Sequence, residues 1–396
     1  MKKFFLLVIC FVFASASTFS QDSDKKVKVD LEKMAVSLVN ECANIQEGEI
    51  VMVSGSVRDL ELLENIAVNV RKLGAFPLLT ISSDRMTKRM FTDVPEKFDT
   101  QYPKLGMKMV DMITAQISVS SGENPDLLAD VPPERFATRS KANKPLIELY
   151  QEKEIKSVSL GNGLYPTEAL AAKFNMSYDE LFKVFWEAID VDYARLNEIG
   201  SIVQQRLKNA DILKITHKNG TDFTVDITGN KPFISDGIIS DEDMKKGLVG
   251  MSAYLPAGEV YFVPVAGTAN GKLVFDNYIF RGEIIKDLEL VFENGNLVSM
   301  DGKHGIEKLK EYYDAQDDLI KEFSMIDFGI NPNIEIPSTS TLVSYIPAGT
   351  ITVGIGNNTW AGGENNSISG LNFFLDGSTV QAGERLLIRE GELLYE

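Results

Sequence analysis

Few residues in this chain have the types and spacing to do chemistry, and they exclude most covalent mechanisms. There are two histidines, His217 beside Asn219-Gly220 and His304 within the polar turn Asp301-Gly302-Lys303-His304-Gly305. Neither lies in an H-E-x-x-H or comparable ligand spacing, and histidines in turns are ordinarily solvated bystanders. Cys42 falls on an apolar helical face, which predicts an inert thiol, and no G-x-S-x-G elbow presents a nucleophilic serine. Ser54-Gly55-Ser56 lacks the glycines and lysine of a phosphate loop and reads as a plain strand-to-helix turn. Carboxylate and amide chemistry remains. Glu259 follows Leu255-Pro256-Ala257-Gly258, Asp327 opens Asp327-Phe328-Gly329-Ile330-Asn331-Pro332, and Gly349 to Leu375 reads G-T-I-T-V-G-I-G-N-N-T-W-A-G-G-E-N-N-S-I-S-G-L-N-F-F-L. Taken alone, Glu259 is a polar residue entering a strand, and Asp327 a cap or hydrogen-bond acceptor for the Gly329-Asn331 turn. Trp360 is either an exposed loop aromatic lining a cleft or a core anchor. Asn357, Asn358, Asn365 and Asn366, around Gly362-Gly363, suit tight loop geometry at least as well as ligand binding.

The elements that must position these residues can be read from the apolar pattern. Glu49 to Ser54 has the length and branched content of a buried strand. Leu63, Ile66, Ala67 and Val70 then lie on one helical face, which Gly74 stops, and Phe76 to Ile81 resumes as a strand. Such a unit predicts parallel strands with a right-handed crossover. Ala115 to Val119 and Val158 to Leu160 extend it into an α/β sheet. Ser177 and Glu180 form a capping box before one long helix whose apolar period runs through Ile189, Tyr193, Leu196, Ile199, Val203 and Leu207. Strand and turn texture follows, so a domain boundary is expected near Lys208. Beyond it, Ile212 to Ile227 reads as a hairpin marked by Asn219-Gly220. An odd or bulged loop there would place Leu213 and Ile215 opposite Phe223 and Val225, burying one face coherently. Tyr254-Leu-Pro-Ala-Gly-Glu-Val and Tyr345-Ile-Pro-Ala-Gly-Thr-Ile read as similar turns feeding strands, separated by a helix expected from about Gly305 to Phe323.

Composition sets the class of molecule. Lys2 and Lys3, the apolar run Phe4 to Ala14 and the small residues that follow form a secretory leader over residues 1–21, too short in its apolar part to span a bilayer. The expected destination is therefore the periplasm or the extracellular space, with no membrane insertion once the leader is removed. The formal net charge of −17, lowered further by loss of the two leader lysines, argues against nucleic-acid partners. Of the two cysteines only Cys42 survives cleavage, so no internal disulfide can form. The remaining length exceeds what one core usually supports, which predicts two domains, 22–207 and 208–396.

These motifs together resemble the aminopeptidase T-like family of metallo-aminopeptidases. The resemblance rests on the order and spacing of Tyr165-Pro166-Thr167, Asn175-Met176-Ser177, Gly220-Thr221-Asp222, Leu255 to Val260, Asp327 to Pro332 and the frame from Gly349. It implies an α/β, two-domain fold with an amino-terminal α/β sheet domain and a carboxy-terminal mixed α+β domain. It also implies release of amino-terminal residues from peptides by two divalent ions held between domains, usually in a homodimer. Glu259 matches the family's first glutamate ligand and Asp327 stands where its second would be, one methylene shorter. Thr352 occupies the first histidine position, Gly370 the second and Asn372 the aspartate position, with the family's spacing intact. A hydroxyl, an amide and a missing side chain cannot replace two imidazoles and a carboxylate, so affinity for zinc-like ions should fall by orders of magnitude. The expectation is a vestigial site at Glu259 and Asp327, no resident cofactor, and a role in binding peptides or a protein partner. The alternative is an active metal-dependent aminopeptidase working through a rearranged site. That alternative keeps Glu259 and Asp327 as ligands or as acid and base, and predicts a raised pKa on one of them if both carboxylates lie close together without metal.

Overall fold

The computed structural model describes residues 29–395 apart from 121, 125 and 282. The leader over residues 1–21 and Cys10 lie outside the described residues. No helix among the described residues is long and apolar enough to cross a membrane.

The amino-terminal unit is a parallel sheet. Strands β1 (Ile50–Ser56) and β2 (Phe76–Ser82) flank helix Leu60–Lys72, which buries Leu62, Leu63, Ile66 and Val70. Gly74, at φ +81°, takes the left-handed turn that ends this unit's helix. Strands β3 (Ala115–Val119) and β4 (Lys156–Leu160) extend the sheet from the other side of β1. Helices Lys104–Met112 and Pro133–Glu152 cover one face of it, where Val110, Ile113 and Ile155 meet Met52, Leu146 and Tyr150.

The chain leaves this unit through two helices, not the single long one that the apolar period predicts. Helix Tyr178–Ile189 carries the Ser177–Glu180 capping box, and helix Tyr193–Lys208 starts afresh with Asp192 accepting from the Arg195 N–H. An aspartate that caps a new helix satisfies an otherwise orphaned donor, which offsets the break.

Strands β5 (Ile212–Thr216) and β6 (Asp222–Asp226) then form the hairpin, with Leu213 opposite Val225 and Ile215 opposite Phe223. Its five-residue loop from His217 to Thr221 is odd in length, and it buries the branched and aromatic face. After β7 (Phe233–Ser235), β8 (Ser252–Leu255) returns to pair in parallel with β4 and completes a first sheet of order β2-β1-β3-β4-β8. This return strand lies past the Lys208 boundary that the texture change suggests. Its four residues carry no mark that assigns them to one sheet rather than another.

Strands β9 (Glu259–Phe262), β10 (Asn270–Phe280), β11 (Glu283–Glu293) and β12 (Asn296–Asp301) follow. The helix expected to reach Phe323 is shorter, Glu307–Asp314, because Asp317 caps a separate turn by accepting from the Leu319 N–H. Then come β13 (Phe323–Gly329), β14 (Ile351–Gly356), β15 (Gly370–Leu375), β16 (Thr379–Ala382), β17 (Arg385–Arg389) and β18 (Glu392–Leu393). The second sheet runs β12-β11-β10-β6-β5-β16-β17-β18 and the third β15-β14-β13-β9-β7. Phe373 of the third packs on Phe275 and Tyr278 of the second, so the core lies between them and leaves the other face of the third sheet for the site. The molecule is thus α/β, a parallel sheet joined to antiparallel sheets.

Candidate functional site

Strand register decides which side chains meet. Asp327 on β13 stands opposite Tyr261 on β9 and Thr352 on β14; Glu259 stands opposite Gly329 and Ser235. Gly354 faces Asn372, and Gly356 faces Gly370. Cross-strand partners and alternate residues share a face, so Glu259, Asp327, Thr352, Asn372 and Gly370 all lie on the same side of the third sheet. The structure does not bring all five into contact. Glu259, Asp327 and Thr352 are adjacent, Asn372 lies over Gly354 one strand further out, and Gly370 is at the strand end.

The carboxyl groups of Glu259 and Asp327 lie on adjacent strands within electrostatic reach of each other, and Ser235 stands beside Glu259 across the β7–β9 pair. Asp327 and Thr352 are each 2 % exposed. Burial, the first cause, and for Asp327 the neighbouring Glu259 charge hold both acids above the ordinary carboxylate range. Asp327 Oδ1 and Thr352 Oγ1 have no hydrogen-bond partner. Asp327 therefore does not cap the Gly329-Asn331 turn. Around the acids, burial chiefly and then the Glu259 charge raise the phenols of Tyr261 and Tyr345 well above their usual value. They remain protonated donors at any ordinary pH.

Asn331 supplies the scaffold. Its Nδ2 donates to the carbonyls of Ala188 and Ala257, its N–H to Ile346, and its carbonyl accepts from Ala348. It thereby ties both Pro-Ala-Gly turns to the end of β13, placing β9 and β14 on either side of Asp327. Gly329 is required here, because a Cβ would come within 2.2 Å of the Pro347 carbonyl. The repeated turn was visible in the sequence, whereas its clamp was not, since Asn331 is some seventy residues from the first turn.

Trp360 is 49 % exposed, so it does not anchor the core. Its ring lies 5.2 Å from Tyr261, which lies 5.3 Å from Phe233, forming an aromatic wall beside the acids. The asparagines stitch the loop: Asn358 donates to Ser324 O and accepts from the Asn365 N–H, and Asn357 donates to Ser367 O. Asn366 is exposed.

The other candidates stay apart from this site. His217 accepts from the Asn219 N–H within the hairpin loop, and His304 makes a bridge to Lys286. Cys42 is fully buried, and burial pushes its thiol up to about 12. Among the described residues no three histidine, cysteine or acidic side chains are grouped to hold a metal ion.

The profile of the thermophilic metalloprotease (M29) family matches residues 27–328. The chain belongs to that family. Among M29-like relatives, Aminopeptidase 2 of Geobacillus stearothermophilus is 24 % identical over 338 residues, covering 80 % of this chain and 79 % of the relative. Aminopeptidase AmpS of Bacillus subtilis (strain 168) is 23 % identical over 305 residues, 69 % of this chain and 70 % of the relative. Wild-type AmpT from Thermus thermophilus superposes with a TM-score of 0.67 at 17 % identity, over 92 % of this chain and 98 % of that one. The 2,5-dihydroxypyridine dioxygenase of Pseudomonas putida KT2440 superposes with a TM-score of 0.60 at 14 % identity, over 93 % and 99 %. The M29 match ends one residue after Asp327, so the frame from Gly349 to Leu375 falls outside it. Within this M29 fold the donors at the site are two carboxylates, a hydroxyl and an amide, with no imidazole.

Proposed function

We propose that this chain is an exported, non-catalytic member of the M29 family that binds peptides or a protein partner at the face of the third sheet that carries Glu259 and Asp327. One observation carries the reading: where the third sheet brings Glu259 and Asp327 side by side, no imidazole stands on the shared face to complete a two-metal centre. The donor set points the same way, since one hydroxyl and one amide are weak substitutes for imidazoles, and two carboxylates are too few for a tight cage of hard-ion ligands. The half-exposed Trp360 beside Tyr261 supplies an apolar wall for a bound side chain. Export rests on the leader, and a homodimer on the family resemblance.

A second reading is favoured by the partnerless Asp327 Oδ1 and Thr352 Oγ1. Buried acceptors without donors suit an incoming ligand, and a single ion bound there would make the chain an active aminopeptidase with a rearranged site. M29 chemistry is metal-dependent, so such activity would require a divalent metal.

Purified protein supplied in turn with Zn²⁺, Co²⁺ or Mn²⁺ distinguishes the two readings. We expect no stoichiometric metal, no release of amino-terminal residues from a peptide panel, and calorimetric binding of peptides that Trp360→Ala weakens. Bound metal with turnover abolished by Glu259→Gln would establish the enzyme instead.

A further inference from the structure

Parallel sheets are normally covered by helices on both faces, and their strands are continuously apolar. The first sheet departs from this at one level. Thr80, Ser54, Ser118, Ser159 and Tyr254 are consecutive register partners across β2, β1, β3, β4 and β8. Their side chains therefore share one face and form a row of hydroxyls across the sheet. One step toward the strand starts, the same face carries Met52 and Gln116, which are covered by Leu146 and Tyr150 of helix Pro133–Glu152. The hydroxyl row lies beyond that cover, in a crevice of about 520 Å³ at the carboxyl ends of the strands.

The crevice also lies where the sheet order reverses. The chain passes from β1 outward to β2 and later to β3 on the opposite side, and ligands of open α/β sheets bind at such switch points. Four hydroxyls of the row line it, with Ser82, Ser120 and the Asn162 amide at its rim. Ser118 and Ser159 hydrogen-bond each other at 3.0 Å, which aligns the centre of the row.

We propose that this crevice is a binding site for a neutral polyhydroxylated ligand of the saccharide class. Among the described residues, no lysine, arginine, aspartate or glutamate lines it. An anion would want a free cation, but Arg58 nearby is committed to Asp59, to the Ser120 carbonyl and to the Tyr165 ring. A cation would want carboxylates, and the lining offers none. Side-chain hydroxyls both donate and accept, which matches a ligand whose own groups do both, while the Asn162 amide is held in place by the Pro256 carbonyl and the Tyr345 phenol. Tyr254 lies outside the lining, next to Ser159 across the β4–β8 pair, and its 51 % exposed ring would meet the C–H side of a sugar ring that extends along the row. The volume is within the range of small-molecule sites. The crevice is linked to the Glu259–Asp327 region through Asn162, which accepts from the Tyr345 phenol, but neither acid lines it and the proposal does not depend on the function proposed for them.

The test is calorimetric titration of the full mature protein with glucose and cellobiose, with glucose 6-phosphate and an end-blocked tetra-alanine as comparison arms. Saccharide binding is expected, weakened about tenfold by Ser118→Ala and by Tyr254→Ala. Ser54→Ala, at a half-buried position, should act in the same direction without unfolding risk, and Glu259→Gln should change nothing. Four results would overturn the proposal: no binding of either sugar, equal binding by wild type and row variants, tighter binding of the phosphate or the blocked peptide, or loss of sugar binding in Glu259→Gln.

Discussion

Glu259 on β9 and Asp327 on β13 are diagonal neighbours on one face of the third sheet, close enough for the charge of one to act on the other. Two neighbouring acids, Asp327 buried and Glu259 half-buried, cannot both ionise cheaply, and that determines how the molecule should respond to pH, metal and substitution.

The first consequence concerns stability. Both folded-state pKa values are raised, so the stability from the protonated pair is fully present below the ordinary carboxylate range. It is lost as pH rises through the folded values. Glu259→Gln should therefore stabilise the fold at pH 8 by on the order of 1–2 kcal/mol, read as a higher melting temperature, with the gain shrinking toward pH 4. Melts of metal-free wild type and variant across that window measure it, and an unchanged gap at all pH values would contradict the coupling.

Metal response follows from the donor set. EDTA should leave the melting temperature unchanged, and added Zn²⁺ should not raise it. The combined T352H, G370H and N372D variant should gain zinc affinity by more than about tenfold, because it restores imidazole and carboxylate donors on one sheet face. Competition against a chromogenic chelator reads this directly.

Trp360 can report on the proposed peptide site. The chain has two tryptophans, and Trp186 is buried. In a Trp186→Phe background, peptide binding should shift the emission of Trp360. Trp360→Ala should cost less than about 1.5 kcal/mol of stability, since the ring is half exposed, while weakening peptide binding. A quantum yield unmoved by bound peptide would place the peptide elsewhere.

Asn331 should matter for folding. It is fully buried, and its amide donates to the Ala188 and Ala257 carbonyls. Asn331→Ala strands both acceptors and should cost about 3 kcal/mol in urea unfolding.

The amino-terminal unit has its own acid sensitivity. Asp99 is buried between Arg135 and Arg139, and those hydrogen bonds hold its carboxyl down at about 2. Its contribution is present above the ordinary aspartate value and is lost as pH falls through about 2. Hydrogen exchange over residues 84–152 should accelerate in that acid range for wild type, and Asp99→Asn should show the acceleration already at neutral pH.

Much of this was legible in the residue order alone. The strand-helix-strand unit, the Ser177–Glu180 capping box and the Leu213–Val225 register follow from short-range periodicity and turn chemistry, which act within a dozen residues. Family membership and the identities of Glu259, Asp327, Thr352, Gly370 and Asn372 were likewise available, because motif order survives without coordinates. The tertiary structure alone decided that Asp192 breaks the long helix, that β8 joins the first sheet, and that Trp360 faces solvent. It alone aligned Thr80, Ser54, Ser118, Ser159 and Tyr254 into one row and set Glu259 against Asp327. Apart from the local Asp192 cap and the Trp360 loop, these depend on pairing between segments tens of residues apart, and a one-residue change of register, invisible to any local pattern, would have turned those side chains to the opposite face.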